Sequence, residues 1–211
     1  HLPLYQLNAS ATKITDAGLK KISTIKTLNI LNLSDNNQLT PVSYSYLKNL
    51  PELYRLSASS NNINHQSLKH ICDIKTLKFL GLARNNEIGG SDLEELKRLP
   101  QRESLYLVKV QFKKDGIDAI AKLDNLISLC LGSTNITDED LVKLSKLKSL
   151  EELELSNTDV SDKGILSLAG LKSLKYLTMV DCKNVSKDLK YKLLQLMPGC
   201  QVNDHGMSKG F

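Results

Sequence analysis

The stretch Leu28–Asn36, which reads LNILNLSDN, decides the fold of this 211-residue chain because its pattern recurs along the sequence. LYRLSASSN at 53–61 and LKFLGLARN at 77–85 share its template, L-x-x-L-x-L-x-x-N. With the weaker versions included, the template occurs in eight copies that are 24 or 25 residues apart. These copies begin near residues 4, 28, 53, 77, 102, 126, 150 and 174. A fixed period of this length is typical of proteins built from stacked structural repeats.

A second pattern fills the gaps between the copies. ITDAGL at 14–19 returns as ITDEDL at 136–141 and as VSDKGI at 160–165. In the first template, the alternating leucines predict a short strand with its leucines on one face. In the second, Thr15 and Thr137 are each followed by Asp, which predicts a helix N-cap and an acid in the first turn. Each repeat is therefore predicted to be a strand, a turn, a short helix and a return.

These motifs resemble the leucine-rich repeat family, and the resemblance covers most of the chain. It implies an α/β fold, a ribonuclease-inhibitor-like solenoid of about eight repeats with a curved parallel β-sheet on the concave face and short helices on the convex face. Stacking also follows from energetics. Burial of one repeat's apolar side chains stabilises it by roughly 15–20 kcal/mol, whereas ordering its backbone costs roughly 24–48 kcal/mol. Neighbouring repeats must therefore share their cores.

We expect the solenoid to span residues 1–186, a capping helix and edge strand to span 187–202, and a flexible tail to span 203–211. Leu189, Leu193 and Leu196 have helical spacing, and the following Pro-Gly pair stops the helix. At the other end, the chain enters its first strand without a cap. Either a cap is missing or a preceding domain has been cut away, and we favour truncation.

The fifth copy departs from the template at two positions. Arg102 stands where leucine is expected, and we expect it to reach solvent or a carboxylate such as Glu103, because a buried unpaired arginine is costly. Val110 stands where asparagine is expected and has no side-chain donor or acceptor for the turn. We interpret this copy as a local kink left by neutral drift, the alternative being a change of shape that matters for a ligand.

The sequence offers little for catalysis. It contains no H-E-x-x-H, G-x-S-x-G or G-x-x-x-x-G-K motif, and its four cysteines form no Cys-x-x-Cys pair. These cysteines indicate a reducing compartment rather than disulfides or a zinc site. Cys130 falls on an outward strand position, but no histidine is placed to activate it, so an exposed or half-buried thiol is favoured. Cys182 takes the asparagine place of its repeat. We therefore predict no enzyme activity, no cofactor and no metal site.

Side chains that lie between and after the strand leucines point away from the core, and we call the surface they form the strand face. Phe79 and Tyr106 are large aromatic residues in adjacent repeats, with Arg55, Arg84 and Lys109 around them. Aromatic residues and arginine often dominate the energetics of protein interfaces. An acidic strip follows two repeats later. The predicted partner-binding residues are Arg55, Phe79, Arg84, Tyr106, Lys109, Glu152, Glu154 and Tyr176, the alternative being scattered surface residues.

We therefore predict a non-enzymatic recognition module that is monomeric and binds a partner protein on its concave face. The net charge of +5 is mild, and basic pairs such as Lys113 and Lys114 are expected on the solvated convex side, so nucleic acid is not expected as a partner. No apolar stretch approaches the ~18 residues of a membrane span. The ITDxGL element resembles repeats of F-box proteins and of bacterial effectors. This resemblance implies a cytoplasmic protein or, if the chain is a bacterial effector, one secreted into the host cytosol. The alternative function is the substrate-recognition arm of a ubiquitin ligase.

Overall fold

A computed structural model describes residues 3–100, 103–113 and 115–204, and these residues form one parallel sheet of nine strands that are adjacent in sequence order. Each strand has three residues, as the short L-x-L pattern predicts. The strands are β1 Gln6–Asn8, β2 Ile30–Asn32, β3 Arg55–Ser57, β4 Phe79–Gly81, β5 Ser104–Tyr106, β6 Ser128–Cys130, β7 Glu152–Glu154, β8 Tyr176–Thr178 and β9 Gln201–Asn203. The predicted parallel stack of eight repeats is confirmed, and a ninth strand closes it.

A helical segment follows each of the strands β1 to β8. The α-helices are α1 Asp16–Ile22, α2 Pro41–Tyr44, α3 His65–Ile71, α4 Gly116–Ile120, α5 Asp138–Leu144, α6 Asp162–Ser167 and α7 Leu189–Leu196. Three 3₁₀ helices span Ser45–Asn49, Gly90–Arg98 and Leu168–Gly170. The predicted N-caps are confirmed, because the Thr15 side chain accepts from the amide of Gly18 and the Thr137 side chain accepts from that of Asp140.

The core is an aliphatic ladder between the sheet and the helices. The central leucine of each strand pairs in register with that of the next, as in Leu31, Leu56 and Leu80, and all three are fully buried. Leucines and isoleucines of the helices, such as Leu19 and Leu141, complete the same cluster. Because every repeat supplies one layer of this cluster, the leucines are used for packing, and the strand residues that flank them remain available on the strand face.

Three buried asparagines link the first repeats at the turn that follows each strand. We call this row of side chains, one from each repeat, the turn ladder. The amide of Asn36 donates to Oδ1 of Asn61 at 2.7 Å, and the amide of Asn61 donates to Oδ1 of Asn85 at 2.9 Å. In the later repeats Thr134 donates to a carbonyl of its own repeat, at 2.6 Å. The Cys182 sulfur donates to the Leu155 carbonyl at 3.2 Å, which confirms its predicted place in this ladder.

The fifth repeat satisfies its turn without an asparagine at position 110. Val110 is fully buried in the core, and its amide donates to the Leu107 carbonyl at 3.0 Å. Asn135 then joins two repeats, because its Oδ1 accepts from the Phe112 amide at 2.8 Å and its Nδ2 donates to the Phe112 carbonyl at 3.0 Å. Val110 itself offers the turn no side-chain partner, as the sequence indicates, and Asn135 of the next repeat supplies one at Phe112 instead. Arg102 and Lys114 lie outside the described residues.

All eight turns share a backbone feature that the sequence does not signal. The residue immediately before each position of the turn ladder has a positive φ between 55° and 61°, and none of these residues is glycine. These residues are Ala11, Asp35, Ser60, Arg84, Lys109, Ser133, Asn157 and Asp181. In each of the first seven, the amide donates to a carbonyl of the next repeat, as from Arg84 to Val108 at 2.9 Å. These inter-repeat bonds offset the ~1–2 kcal/mol that left-handed backbone costs a residue with a side chain.

The last repeat is followed by helix α7 and strand β9. Leu189 and Leu193 of α7 are buried, whereas Tyr191 and Leu194 are exposed. Strand β9 pairs with β8, and the Asp204 carboxylate accepts from Nζ of Lys190 at 2.7 Å. Residues 205–211, where a flexible tail is expected, lie outside the described residues.

Candidate functional site

The register of the sheet arranges the strand face in columns. Because neighbouring strands pair residue for residue, outward side chains of successive repeats lie side by side. The first column is Gln6, Ile30, Arg55, Phe79, Ser104, Ser128, Glu152 and Tyr176. The second is Asn8, Asn32, Ser57, Gly81, Tyr106, Cys130, Glu154 and Thr178. The sequence-predicted residues therefore fall on one surface, either in these columns or in the turns beside them.

Arg55, Phe79 and Tyr106 are in direct contact, and we call them the aromatic–arginine cluster. The Phe79 and Tyr106 rings have centroids 4.8 Å apart and planes inclined by 42°. The Arg55 guanidinium carbon lies 3.6 Å from the centre of the Phe79 ring, a cation–π contact. All three side chains are half-buried, so each presents an edge to solvent while its neighbours hold it in place. The contacts restrict side-chain freedom before any partner binds, which lowers the entropic cost of binding.

The Phe79 ring packs next to Gly81. Gly81 is the register partner of Tyr106, and its hydrogen leaves space where another residue would have a side chain. A Cβ at Gly81 would lie 3.5 Å from Cε1 of Phe79. The Phe79 ring therefore leans over Gly81 towards Tyr106, one column away and one strand further along the sheet.

Arg84 and Lys109 lie beside this cluster rather than in it. Both are exposed, and each occupies the left-handed turn position after its strand, β4 and β5 respectively. In the described part of the chain, no hydrogen bond, salt bridge or cation–π contact joins either side chain to Phe79 or Tyr106. The two residues therefore place positive charge at the end of the strands, one repeat apart.

Glu152, Glu154 and Tyr176 form a second feature, separate from the aromatic–arginine cluster. They line a depression on strands β6 to β8, which we call the acidic notch and define by Ser128, Cys130, Glu152, Glu154, Tyr176 and Thr178. The backbone amide of Ser156 donates to Oε1 of Glu154 at 2.8 Å and fixes this carboxylate. The acidic strip is predictable from the sequence, whereas the low floor between it and Tyr106 was not predicted. The small residues in the columns were the available signal.

Cys130 is buried, with 4% of its surface exposed, and the prediction of an exposed or half-buried thiol is wrong. Its position in the second column does face outward, but the side chains of Tyr106 and Glu154 stand on either side and cover it. Burial and the nearby charge of Glu154 raise the pKa of the Cys130 thiol to about 12. A thiol of this kind stays protonated at neutral pH and is a poor nucleophile.

Tyr106 has a raised pKa for a similar reason. Burial is the main cause, and the neighbouring Cys130 and Glu152 add to it, so that the pKa of Tyr106 rises to about 12. The Tyr106 hydroxyl is therefore neutral at physiological pH and can donate a hydrogen bond.

The described residues offer no metal centre and no membrane span. Within 3–100, 103–113 and 115–204, no group of three or more His, Cys, Asp or Glu side chains is placed to hold a metal ion. None of the helices in this part of the chain has the length and apolar character needed to cross a bilayer.

Comparisons with known proteins agree with the architecture. A family model described as a leucine-rich repeat matches residues 146–169. Internalin C2 from Listeria monocytogenes is a similar solved structure, with a TM-score of 0.70 and 26% sequence identity over 94% of this chain and 79% of its own. No curated protein matches the sequence.

The chain also resembles parts of two longer proteins whose structures have been solved. TLR13, from its complex with ssRNA13, has a TM-score of 0.70 and 25% identity over 96% of this chain and 29% of its own. The yeast complex of Rad7 and Elc1 contains a chain with a TM-score of 0.75 and 19% identity, which covers 97% of this chain and 57% of its own. The second likeness is one of fold alone.

Proposed function

Because the chain is a leucine-rich repeat solenoid, we propose that it is a non-enzymatic recognition module that binds a partner protein on its strand face. The observation that carries this proposal is the aromatic–arginine cluster. Arg55, Phe79 and Tyr106 hold one another in place, and each still presents an edge to solvent. Aromatic residues and arginine are the residue types that most often dominate binding energy when a partner covers them.

The charges on the strand face favour a protein over a nucleic acid. In the described part of the chain, no salt bridge reaches Arg55, Glu152 or Glu154, whereas the flanking pairs Lys78–Glu103 and Lys175–Glu151 neutralise each other at 3.0 Å and 2.7 Å. Unpaired charges of both signs suit a protein surface of mixed charge. The uniformly anionic backbone of RNA would be repelled by the two glutamates. These charges argue against single-stranded RNA, the ligand in the similar TLR13 structure, as the partner of this chain.

We propose that the chain belongs to a bacterial effector that acts on host proteins in the host cytosol. The similarity to Listeria internalin C2 supports a bacterial origin. The alternative is the substrate-recognition arm of a ubiquitin ligase, supported by the ITDxGL element. The two differ in one measurable respect. If expression of the complete gene in host cells increases the ubiquitination of a captured partner, the ligase role is favoured.

The test begins with capture of partners from host-cell lysate and measures the affinity of each purified candidate. The double variant F79A/Y106A should weaken binding to a true partner at least ~100-fold, as expected when two dominant contacts are lost. The conservative variant Arg55→Gln should weaken binding by a smaller factor. The matched control is Y191A/L194A, which removes two exposed apolar side chains from α7. Equal affinity of F79A/Y106A and the wild type, with both proteins folded, would refute the proposal.

A further inference from the structure

Arg55 is a half-buried residue whose side-chain hydrogen-bond donors are unused. Its guanidinium carbon lies over the Phe79 ring, 3.6 Å from the ring centre. At this distance the guanidinium stacks on the ring, and stacking engages none of its five N–H donors. In the described part of the chain, no hydrogen bond or salt bridge involves the Arg55 side chain. An arginine that is held in place with its donors unused is preorganised to bind a carboxylate through two parallel hydrogen bonds.

Arg84 and Lys109 are two further cations at the same end of the sheet, and we call them the basic turn pair. They occupy the same left-handed turn position in adjacent repeats, with φ of 57° and 61°. The amide of Arg84 donates to the Val108 carbonyl and that of Lys109 to the Gly132 carbonyl, both at 2.9 Å, so both backbones are fixed. Within the described residues, neither side chain forms a salt bridge or a hydrogen bond. Two like charges on neighbouring repeats repel each other, and an anion between them offsets this repulsion.

The acidic residues of the strand face do not neutralise these cations. Glu103 is already engaged by Lys78, whose Nζ lies 3.0 Å from its Oε1. Glu152 and Glu154 are on β7, four strand spacings from Arg55 on β3, or about 19 Å along the sheet. Charges this far apart are largely screened, because the Debye length at physiological ionic strength is about 8 Å. The β3–β5 part of the strand face therefore carries a net positive charge around two aromatic rings.

We propose that the β3–β5 part of the strand face binds an acidic segment of the partner protein, with one carboxylate at Arg55 and another at the basic turn pair. This inference rests on the proposed function and specifies the partner's chemistry. Phe79, the register partner of Arg55, precedes Arg84 by five residues, and five residues of extended chain span at most about 17 Å. A partner segment of that length, with acids at both ends and an apolar residue between them, reaches both sites and covers the aromatic rings. The glutamates of β7 repel it from the other end of the strand face.

The experiment titrates the blocked peptide acetyl-EELEE-amide into the whole chain and follows its binding by NMR. We expect saturable shift changes at β3, β4, β5 and the basic turn pair, with a dissociation constant in the millimolar range. The peptide acetyl-QQLQQ-amide, which has nearly the same shape but no charge, should bind at least ~10-fold more weakly. Arg55→Gln and the double variant R84Q/K109Q should each weaken binding of the acidic peptide at least ~5-fold, because each removes the charge that engages a carboxylate.

The matched control is K48Q/K172Q, which removes as much charge as R84Q/K109Q does, from two exposed lysines outside the strand face, and should bind the acidic peptide as the wild type does. Hexauridylate, a single-stranded RNA probe, should bind more weakly than the acidic peptide, because the glutamates of β7 repel its uniformly charged backbone. Tighter binding of hexauridylate at the same residues, equal binding of the two peptides, or unchanged binding by Arg55→Gln and R84Q/K109Q would each overturn the inference. Shift changes spread over the whole surface would also overturn it.

The proposed function fails separately from this inference. If the acidic peptide does not bind but F79A/Y106A still loses the captured partner, only the inference is wrong. If the acidic peptide binds as expected but F79A/Y106A retains the captured partner, only the proposed site is wrong.

Discussion

The carboxylate of Asp138 accepts two hydrogen bonds from Ser161, which lies 23 residues later in the chain, one from its amide at 2.8 Å and one from its hydroxyl at 2.6 Å. Asp162 accepts the same pair from Ser186, and Asp16 accepts it from Thr40. The acid that follows a helix N-cap therefore does more than favour the first turn of its own helix. It joins that helix to the start of the next one, so the helical side of the stack has its own inter-repeat bonds.

Replacing Asp138 by alanine should lower the free energy of unfolding by about 1–3 kcal/mol at pH 7, because two hydrogen bonds to a carboxylate are lost. Burial raises the pKa of Asp138, but the bonds from Ser161 outweigh burial and hold the pKa below its ordinary value. A carboxyl with a lowered folded pKa stabilises the protein above its unfolded pKa of about 3.9, and this contribution is lost as the pH falls through the folded pKa. Urea unfolding should therefore show the difference shrinking below about pH 4. The exposed Asp159→Ala is the control, and a D138A effect that stays constant down to pH 2 would contradict the account.

Gly164 allows this link to form. A Cβ at Gly164 would lie 2.9 Å from Cα of Asp138, closer than real Cβ contacts come. Gly164→Ala should therefore destabilise the protein by about 1–3 kcal/mol, as overpacking does. Gly170→Ala is the matched control, because a Cβ there would have no atom within 4 Å. Thermal unfolding of the two variants checks the prediction, and similar melting temperatures for both would contradict it.

Substitution of Asn61 should destabilise the fold more than substitution of most other polar residues in the chain. It is 1% exposed, accepts from the Asn36 amide at 2.7 Å and donates to the Leu33 carbonyl at 2.8 Å. Asn61→Ala leaves the Asn36 amide buried without an acceptor and removes one of the two side-chain donors to the Leu33 carbonyl. The free energy of unfolding should therefore fall by about 1–3 kcal/mol. Asn37→Ala, at an exposed position, should change it by less than ~0.5 kcal/mol. Denaturant titration measures the free energy of unfolding of both variants. Equal effects of the two substitutions would show that the turn ladder contributes little to stability.

The 24- or 25-residue period of the sequence predicts the pairing of the strands and the arrangement of side chains on the strand face. Once the copies were aligned, the pairing of Phe79 with Ser104 and of Gly81 with Tyr106 followed, because parallel strands one period apart pair in register. The columns of the strand face, and hence the aromatic–arginine cluster, were predictable for the same reason. The ladder role of Cys182 also followed from its place in the template.

The remaining features depend on what neighbouring side chains do, which a period does not encode. Cys130 has an outward position, but the long side chains of Tyr106 and Glu154 cover it. The Val110 turn is completed by Asn135, a residue outside the template position. The left-handed turns contain no glycine to mark them, because inter-repeat hydrogen bonds impose the conformation. The acidic notch exists because small and large side chains alternate across three strands.

Cys130 should react slowly in the folded protein. With the thiol buried and its pKa raised to about 12, alkylation by iodoacetamide at pH 8 should be at least ~100-fold slower than in urea. Tyr106→Ala uncovers the thiol and should accelerate its alkylation without unfolding the chain. Peptide mapping separates Cys130 from the other three buried cysteines, which should be equally slow in both proteins. Rapid native alkylation of Cys130 would show that the covering side chains do not protect it.

The most direct test of the central claim is hydroxyl-radical footprinting of the chain alone and in complex with a captured partner. Phe79 and Tyr106 lie on the strand face, whereas Tyr191 is 70% exposed on α7 and provides an internal control. We predict that the partner lowers the oxidation rates of Phe79 and Tyr106 several-fold and leaves that of Tyr191 unchanged. Undiminished oxidation of Phe79 and Tyr106, with protection at Tyr191 instead, would contradict the claim that the strand face binds the partner.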